Sequence, residues 1–341
     1  MKVSELREKI KYREKEELQA LVVEMYKLIP KGVKEDKGID ALIDNPTLFK
    51  AMHKKAQAEP QNIDFNQLDK EITQFIQYAE AQYYIAPNRI VPKKERSNWR
   101  FTAKRLVDQV TTLSSQPEYE KECTALLEKL YVLFCYASGH YVFASEEPFE
   151  TLKIPQESFF KRVALLKKQT EEPEKWIREM LLLIIDNGLD YVTTSNVLME
   201  TLSELLTNAP LKERTVQICK DLIKERKHKL AGAHASKQRN FIYREEEKIE
   251  KLIVMIFINQ SALGEYEEAV NYYKQHYSAI RDEVKLYILL SLIEKYQGPQ
   301  NWMKEYDEAV ENGTDPRAAL KKMYQHIKET NQFPKSPSNF W

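Results

Sequence analysis

Histidine and cysteine supply most of the metal ligands and nucleophiles that work near neutral pH, so their spacing is the first test for chemistry in this chain. The six histidines, His53, His140, His228, His234, His276 and His326, are scattered over 341 residues. None stands in an HExxH arrangement, and no GxSxG turn presents a serine. His228 and His234 do not share a helical face, and no cysteine or carboxylate completes a ligand set with them, so no metal is expected. Cys123, Cys135 and Cys219 lie inside helical patterns without CxxC spacing and read as small buried thiols in a reducing compartment. Glu245-Glu246-Glu247 is a charge run that reads as a solvated helix face paired with Lys248 and Lys251. The 8 glycines never fall within five residues of one another, which excludes phosphate-cradling and dinucleotide-binding loops. No cofactor is expected, and a non-enzyme is the preferred reading.

Cations are concentrated in two stretches. In the first, Lys93, Lys94, Arg96, Arg100, Lys104 and Arg105 stand against one acid, Glu95, with Trp99 and Phe101 among them. Basic side chains interleaved with aromatics can follow a phosphate backbone and stack bases. Equally, Ser97 caps a helix whose Trp99, Ala103, Leu106, Val107 and Val110 pack inward and leave the charges in water. The second stretch, 220–239, holds Lys224, Arg226, Lys227, Lys229, Lys237 and Arg239 around Gly232. It reads as a basic connection between helices that either touches a polyanion or is simply solvated. With 52 Lys+Arg against 52 Asp+Glu there is no net charge, so a globally basic nucleic-acid binder is disfavoured.

The elements that must position these residues are helices. Asn45-Pro46, Gln116-Pro117, Ile154-Pro155, Glu172-Pro173, Ala209-Pro210 and Asp315-Pro316 precede amphipathic runs, and proline is tolerated in a first helical turn. Asn45 and Asp315 can also serve as N-caps. Apolar residues recur at three and four, as in Leu126, Leu127, Leu130, Leu133 and Phe134, and sustained alternation is absent. An all-α fold follows. Helices are expected near 4–12, 14–29, 46–59, 63–85, 97–115, 117–144, 155–171, 173–187 and 193–208. Others follow near 210–230, 237–263, 265–278, 281–297, 300–312 and 316–330. The prolines and charges of 86–94 divide an N-terminal helical region, 1–92, from a longer array, 93–341, and a second loop covers 144–155. The longest apolar run, Leu252 to Ile258, is far short of a membrane span, and the start reads as a charged helix without a signal peptide. A cytoplasmic protein without membrane contact is expected.

A period is also visible. Gly264 and Gly298 are 34 residues apart, and overlaying the helices before them pairs Leu252 with Leu286, Met255 with Leu289 and Ile258 with Leu292. The run Leu263-Gly264-Glu265-Tyr266-Glu267-Glu268-Ala269-Val270-Asn271-Tyr272-Tyr273 resembles the turn and second helix of a tetratricopeptide repeat. The resemblance covers one hairpin, 249–278, and a degenerate neighbour in which Tyr306 and Ala309 return late. Phe257 and His276 stand where that family has small residues. The resemblance implies an irregular α-solenoid of stacked helical hairpins. In it Tyr266 would pack in the hairpin, Ala269 would allow close helix approach and Tyr273 would fill the gap to the next hairpin.

First helices of such repeats line a concave groove. Carried over by position, the groove-facing residues are Lys251, Val254, Ile258 and Ser261, then Lys285, Ile288, Leu292 and Lys295. The two lysines at matching positions could hold an acidic peptide or a C-terminal carboxylate. Alternatively the apolar members are core and the lysines are solvated. The tail, 332–341, ends in Phe340-Trp341 and reads either as a cap on the last helix or as a docking motif. The function expected is a non-catalytic module that binds a protein or peptide partner. A polyanion-associated regulator using the two basic stretches is the first alternative, and an enzyme whose site is invisible in sequence is the second.

Overall fold

The computed structural model describes residues 3–30, 32–34, 39–44, 63–145, 147–232, 238–278 and 281–334. The chain divides into two compact units, 1–63 and 64–341. The 86–94 loop, expected to mark the division, lies inside the second unit, where Val91 is buried and Asn88 bonds the backbone at both ends of the turn. No strand occurs among the described residues, and no helix there is long and apolar enough to cross a membrane.

The first unit contains α1 (Val3–Ile10), α2 (Lys15–Leu28) and α3 (Ile39–Asp44). The Tyr26 hydroxyl donates to the Asp40 carboxylate at 2.7 Å and links α2 to α3. The helix expected over 46–59, its cap Asn45 and His53 lie outside the described residues, as do His234, Lys237 and the tail from 335.

The second unit begins with α4 (Phe65–Glu80), α5 (Lys93–Ser97), α6 (Trp99–Leu113), α7 (Glu120–Ala137) and α8 (Pro148–Leu152). It continues with α9 (Gln156–Thr170), α10 (Pro173–Asp186), α11 (Ser195–Leu205), α12 (Ala209–Ala231) and α13 (Arg239–Leu263). Last come α14 (Tyr266–His276), α15 (Asp282–Tyr296), α16 (Pro299–Glu311) and α17 (Ala318–Thr330). Their starts follow local chemistry. Asp64 accepts from the Asn66 and Gln67 amides, Thr194 from Val197 and Asn208 from Leu211. Prolines occupy the first turns of α8, α10, α12 and α16.

Several expected features fall differently. Ser97 caps nothing, because it ends α5 and donates to the Lys94 carbonyl. Asp315 is not an N-cap; α17 starts at Ala318, and Asp315 pairs with Lys321 at 2.6 Å. The 144–155 loop contains α8, which buries Phe149 and Leu152. Helix α7 stops at Ala137, before the left-handed Gly139. The two glycines of the apparent period also do different jobs. Gly264 takes φ +80° and closes α13, with the Glu265 amide donating back to the Gln260 carbonyl at 2.9 Å. Gly298, at φ −130°, is the N-cap of α16.

Substantial packing is local along the chain. Helix α4 meets α6 and α7; α7 meets α9; α9 meets α10 and α11; α10 meets α12 and α13. Helix α11 meets α13, α13 meets α12, α14 and α15, and α15 to α17 pack in succession.

Two buried ion clusters tie the middle of the array. Lys167 on α9 contacts Glu128 of α7 at 2.9 Å and Glu179 of α10. Arg226 on α12 bonds Asp186 at the end of α10 at 2.6 Å and Glu245 of α13 at 3.1 Å. Lys248 of α13 closes that ring, reaching the same two acids at 2.9 and 2.8 Å. Burial alone would raise the Glu245 carboxyl, but hydrogen bonds from Lys248 and Arg226 outweigh it and hold the group below the ordinary 4.5. Its stabilising contribution is therefore present above that range and is lost as pH falls through the lowered value. Arg226→Ala strands two carboxylates with only Lys248, and a loss of roughly 3 kcal/mol is expected in urea unfolding at pH 7. The loss should shrink as pH falls through the lowered Glu245 value, because protonating that carboxyl in both states removes its charge-assisted bond to Arg226.

Candidate functional site

A groove runs through the second unit, with α13 as its floor and α11 and α15 as its walls. At one end it has a volume of about 590 Å³, lined by Thr194 to Asn196 and Met199, by Glu250, Lys251 and Val254, and by Ile288, Leu292, Lys295 and Tyr296. It continues into a second space of about 610 Å³ lined by Tyr243, Glu246, Glu247, Tyr277, Arg281 and Val284. Glu247, Glu250, Tyr277 and Ile288 belong to both.

Helices α13 and α15 run in the same direction. Near their C-terminal ends they meet, the Gln297 side-chain amide donating to the Ser261 hydroxyl at 3.0 Å. Near their N-terminal ends Tyr243 and Arg281 face the same space. Glu200 of α11 closes the first end by accepting from the Tyr296 hydroxyl at 2.7 Å and pairing with Lys295. At about 100° per residue, Tyr243, Glu246, Glu250 and Val254 share one face of α13, while Glu245 and Lys248 lie on the opposite face in the Arg226 ring.

The groove expected from position is thus partly assembled. Lys251, Val254, Ile288, Leu292 and Lys295 line it. Ile258 and Ser261 do not, because convergence of the two helices buries both. Lys285 does not either. Its ammonium donates to the Lys274 carbonyl at 2.6 Å, on a different face of α15, beside Glu305 and Glu308. The two matched lysines therefore form no clamp. The remaining groove lysines are neutralised locally, Lys251 by Glu247 at 2.8 Å and Lys295 by Glu200. Pairs with a solvent-open partner of this kind contribute about 0–1 kcal/mol.

The repeat residues divide similarly. Ala269 is buried and Tyr273 fills the space before α15, its hydroxyl donating to the Lys285 carbonyl at 3.1 Å and its ring stacked on Tyr277. Tyr266 does not pack in the hairpin; it is 42% exposed.

The basic stretches are less available than their composition implies. Arg226 is buried in the ion ring, so it offers nothing to a polyanion. Arg96 bonds the Val91 carbonyl at 2.6 Å, Arg105 pairs with Glu71 at 2.8 Å and Lys224 with Asp221 at 3.1 Å. Lys93, Lys94, Arg100, Lys104, Lys227 and Lys229 are exposed. Helix α6 packs against α4, α7 and α8, whereas α12 packs against α10 and α13, so the two stretches belong to different parts of the array.

No group of three or more His, Cys, Asp or Glu side chains converges as a metal site among the described residues. The thiols are buried, and burial pushes Cys123 up to about 11, Cys135 up to about 12 and Cys219 above its usual range. Sequence reasoning missed Glu200, which meets its partners from 95 and 96 residues away, read Glu246 only as part of a solvated run and did not single out Glu250. The chain matches no known protein-family model, and comparison with characterised proteins and with solved structures finds no match.

Aromatic-disulfide reagent at pH 8 is expected to label none of the three cysteines in the folded protein and all three in denaturant. Rapid labelling of the folded chain would contradict the burial of these thiols.

Proposed function

We propose that this protein is a non-catalytic binding module that holds a segment of a partner protein in the groove between α11, α13 and α15. The observation that carries the reading is the continuous groove itself, in which half-buried Val254, Val284 and Ile288 provide apolar anchors between polar walls. Anchors in a concave site with a polar rim are the pattern of helix-in-groove and extended-segment recognition. Tyr243 at the start of α13, which lines the groove and is 68% exposed, extends the contact surface.

The architecture in this reading is an irregular stack of helical hairpins similar to tetratricopeptide repeats. Two features support it. Helices pair with near neighbours along the chain. The second helices α14 and α16 start at Tyr266 and Pro299, an offset of 33 residues that brings buried Tyr273 onto buried Tyr306. Tyr306 stacks on Tyr324 of α17 much as Tyr273 reaches α15. Stacks of this kind leave a concave surface lined by first helices.

The test is co-purification from the native host with partners identified by mass, run in parallel for wild type and two variants. Ile288→Arg places a cation among the anchors and should cut recovery of the specific partner at least tenfold without lowering the thermal midpoint by more than a few degrees. Lys285→Glu, which alters a residue outside the groove, should leave recovery unchanged. Recovery unaffected by Ile288→Arg would remove the groove from the account.

A further inference from the structure

We infer that the open end of the groove takes an amphipathic, lysine- or arginine-bearing segment of a partner protein, its apolar face on Val284 and Ile288 and its cations against Glu246 and Glu250. The inference rests on the groove being the binding site.

Its basis is the charge left over after the groove's internal pairs are formed. Lys251 neutralises Glu247, and Lys295 is held by Glu200 at the closed end. With Glu247 paired, Arg281 is the one cation among the described residues that line the open end, where it shares the space with Glu246 and Glu250. The acids therefore exceed the cations along this wall. Burial holds the Glu250 carboxyl above its usual range, the Tyr277 hydroxyl bond opposes that shift, and neighbouring Glu246 and Glu247 add to it. A fourth carboxylate from a partner would compound this repulsion, whereas an ammonium or guanidinium would relieve it. This reverses the acidic-ligand expectation drawn from Lys251 and Lys285.

The form of the ligand follows from the spread of the acids. They are placed along more than a turn of α13 and do not converge as metal ligands. Cations presented at intervals fit that wall better than a single ion. Val284 and Ile288, one helical turn apart on the facing helix, supply the apolar counterpart that an amphipathic segment requires.

Two blocked 14-residue helical peptides test this on the full chain by fluorescence anisotropy, one built from leucine and lysine and the other from leucine and glutamate. The lysine peptide should bind at least tenfold more tightly than the glutamate peptide. The double variant Glu246→Lys/Glu250→Gln should weaken the lysine peptide at least tenfold, and Ile288→Asn should weaken it several-fold. If the double variant binds the lysine peptide within twofold of wild type, the charge inference is overturned. If the glutamate peptide is the tighter ligand and Ile288→Asn weakens it, the groove stands but the cationic partner is excluded. If Ile288→Asn changes neither affinity, the groove reading fails and this inference falls with it.

Discussion

Arg226 carries a charge at any physiological pH yet is only 7% exposed, and that burial is tolerable because Asp186, Glu245 and Lys248 complete a closed ring around it. The ring joins the end of α10, the C-terminal part of α12 and the first turns of α13. It grips α13 by the face that carries Glu245 and Lys248. The opposite face, with Tyr243, Glu246, Glu250 and Val254, is thereby aimed into the groove. Rotating α13 by one residue would put a glutamate of the ring among the apolar anchors and leave a buried guanidinium short of a partner. The groove floor is held in register by an interaction that lies outside the groove.

The walls depend on that floor. Helix α15 lies along α13 and is pinned at one end by the Gln297–Ser261 hydrogen bond and by Glu200 reaching across from α11 to Lys295 and Tyr296. At the other end the aromatic column of Tyr273 and Tyr277 separates α14 from α15, and Tyr277 reaches Glu250 through its hydroxyl. These constraints leave one end of the groove closed and neutral and the other open and acid-rich. The charge left along the groove thus follows from which groups the fold uses internally: Lys251, Lys295 and Arg226 are paired, while Glu246 and Glu250 face a space they share with Arg281.

Much of the helical framework was legible because local chemistry writes it. Prolines in first turns and the three-four recurrence of apolar residues place α10, α12 and α13 within a few residues of their observed ends. Short elements were not legible. Helix α8 has five residues, too few to show a period, and its burial depends on Phe149 packing against Phe134 and Tyr131 far along the chain. The proline-rich 86–94 stretch resembled a linker, but composition does not reveal that Val91 is buried.

The site was legible only in outline. Positional overlay found Val254, Ile288 and Leu292, whose apolar spacing is a local property. It misplaced Lys285, whose ammonium turns away from the groove to the Lys274 carbonyl, and it misread Arg226 because two acids from two other helices pair with it in a buried ring. Glu200 carried no sequence signal, since its partners lie on α15. The acids of 245–247 were visible as a run, but only the geometry separates Glu245, which belongs to the ring, from Glu246 and Glu247, which face the groove.

The central claim, that this groove holds a partner segment, is tested most directly by site-specific photo-crosslinking in the native host. Benzoylphenylalanine would replace Tyr243, 68% exposed at the open end, and, as a control, Phe101, 61% exposed on α6. The account predicts a discrete adduct from position 243, mapping by mass to a lysine- or arginine-rich amphipathic segment, with none from position 101. Equal crosslinking at both positions, or an adduct at 101 alone, would contradict it.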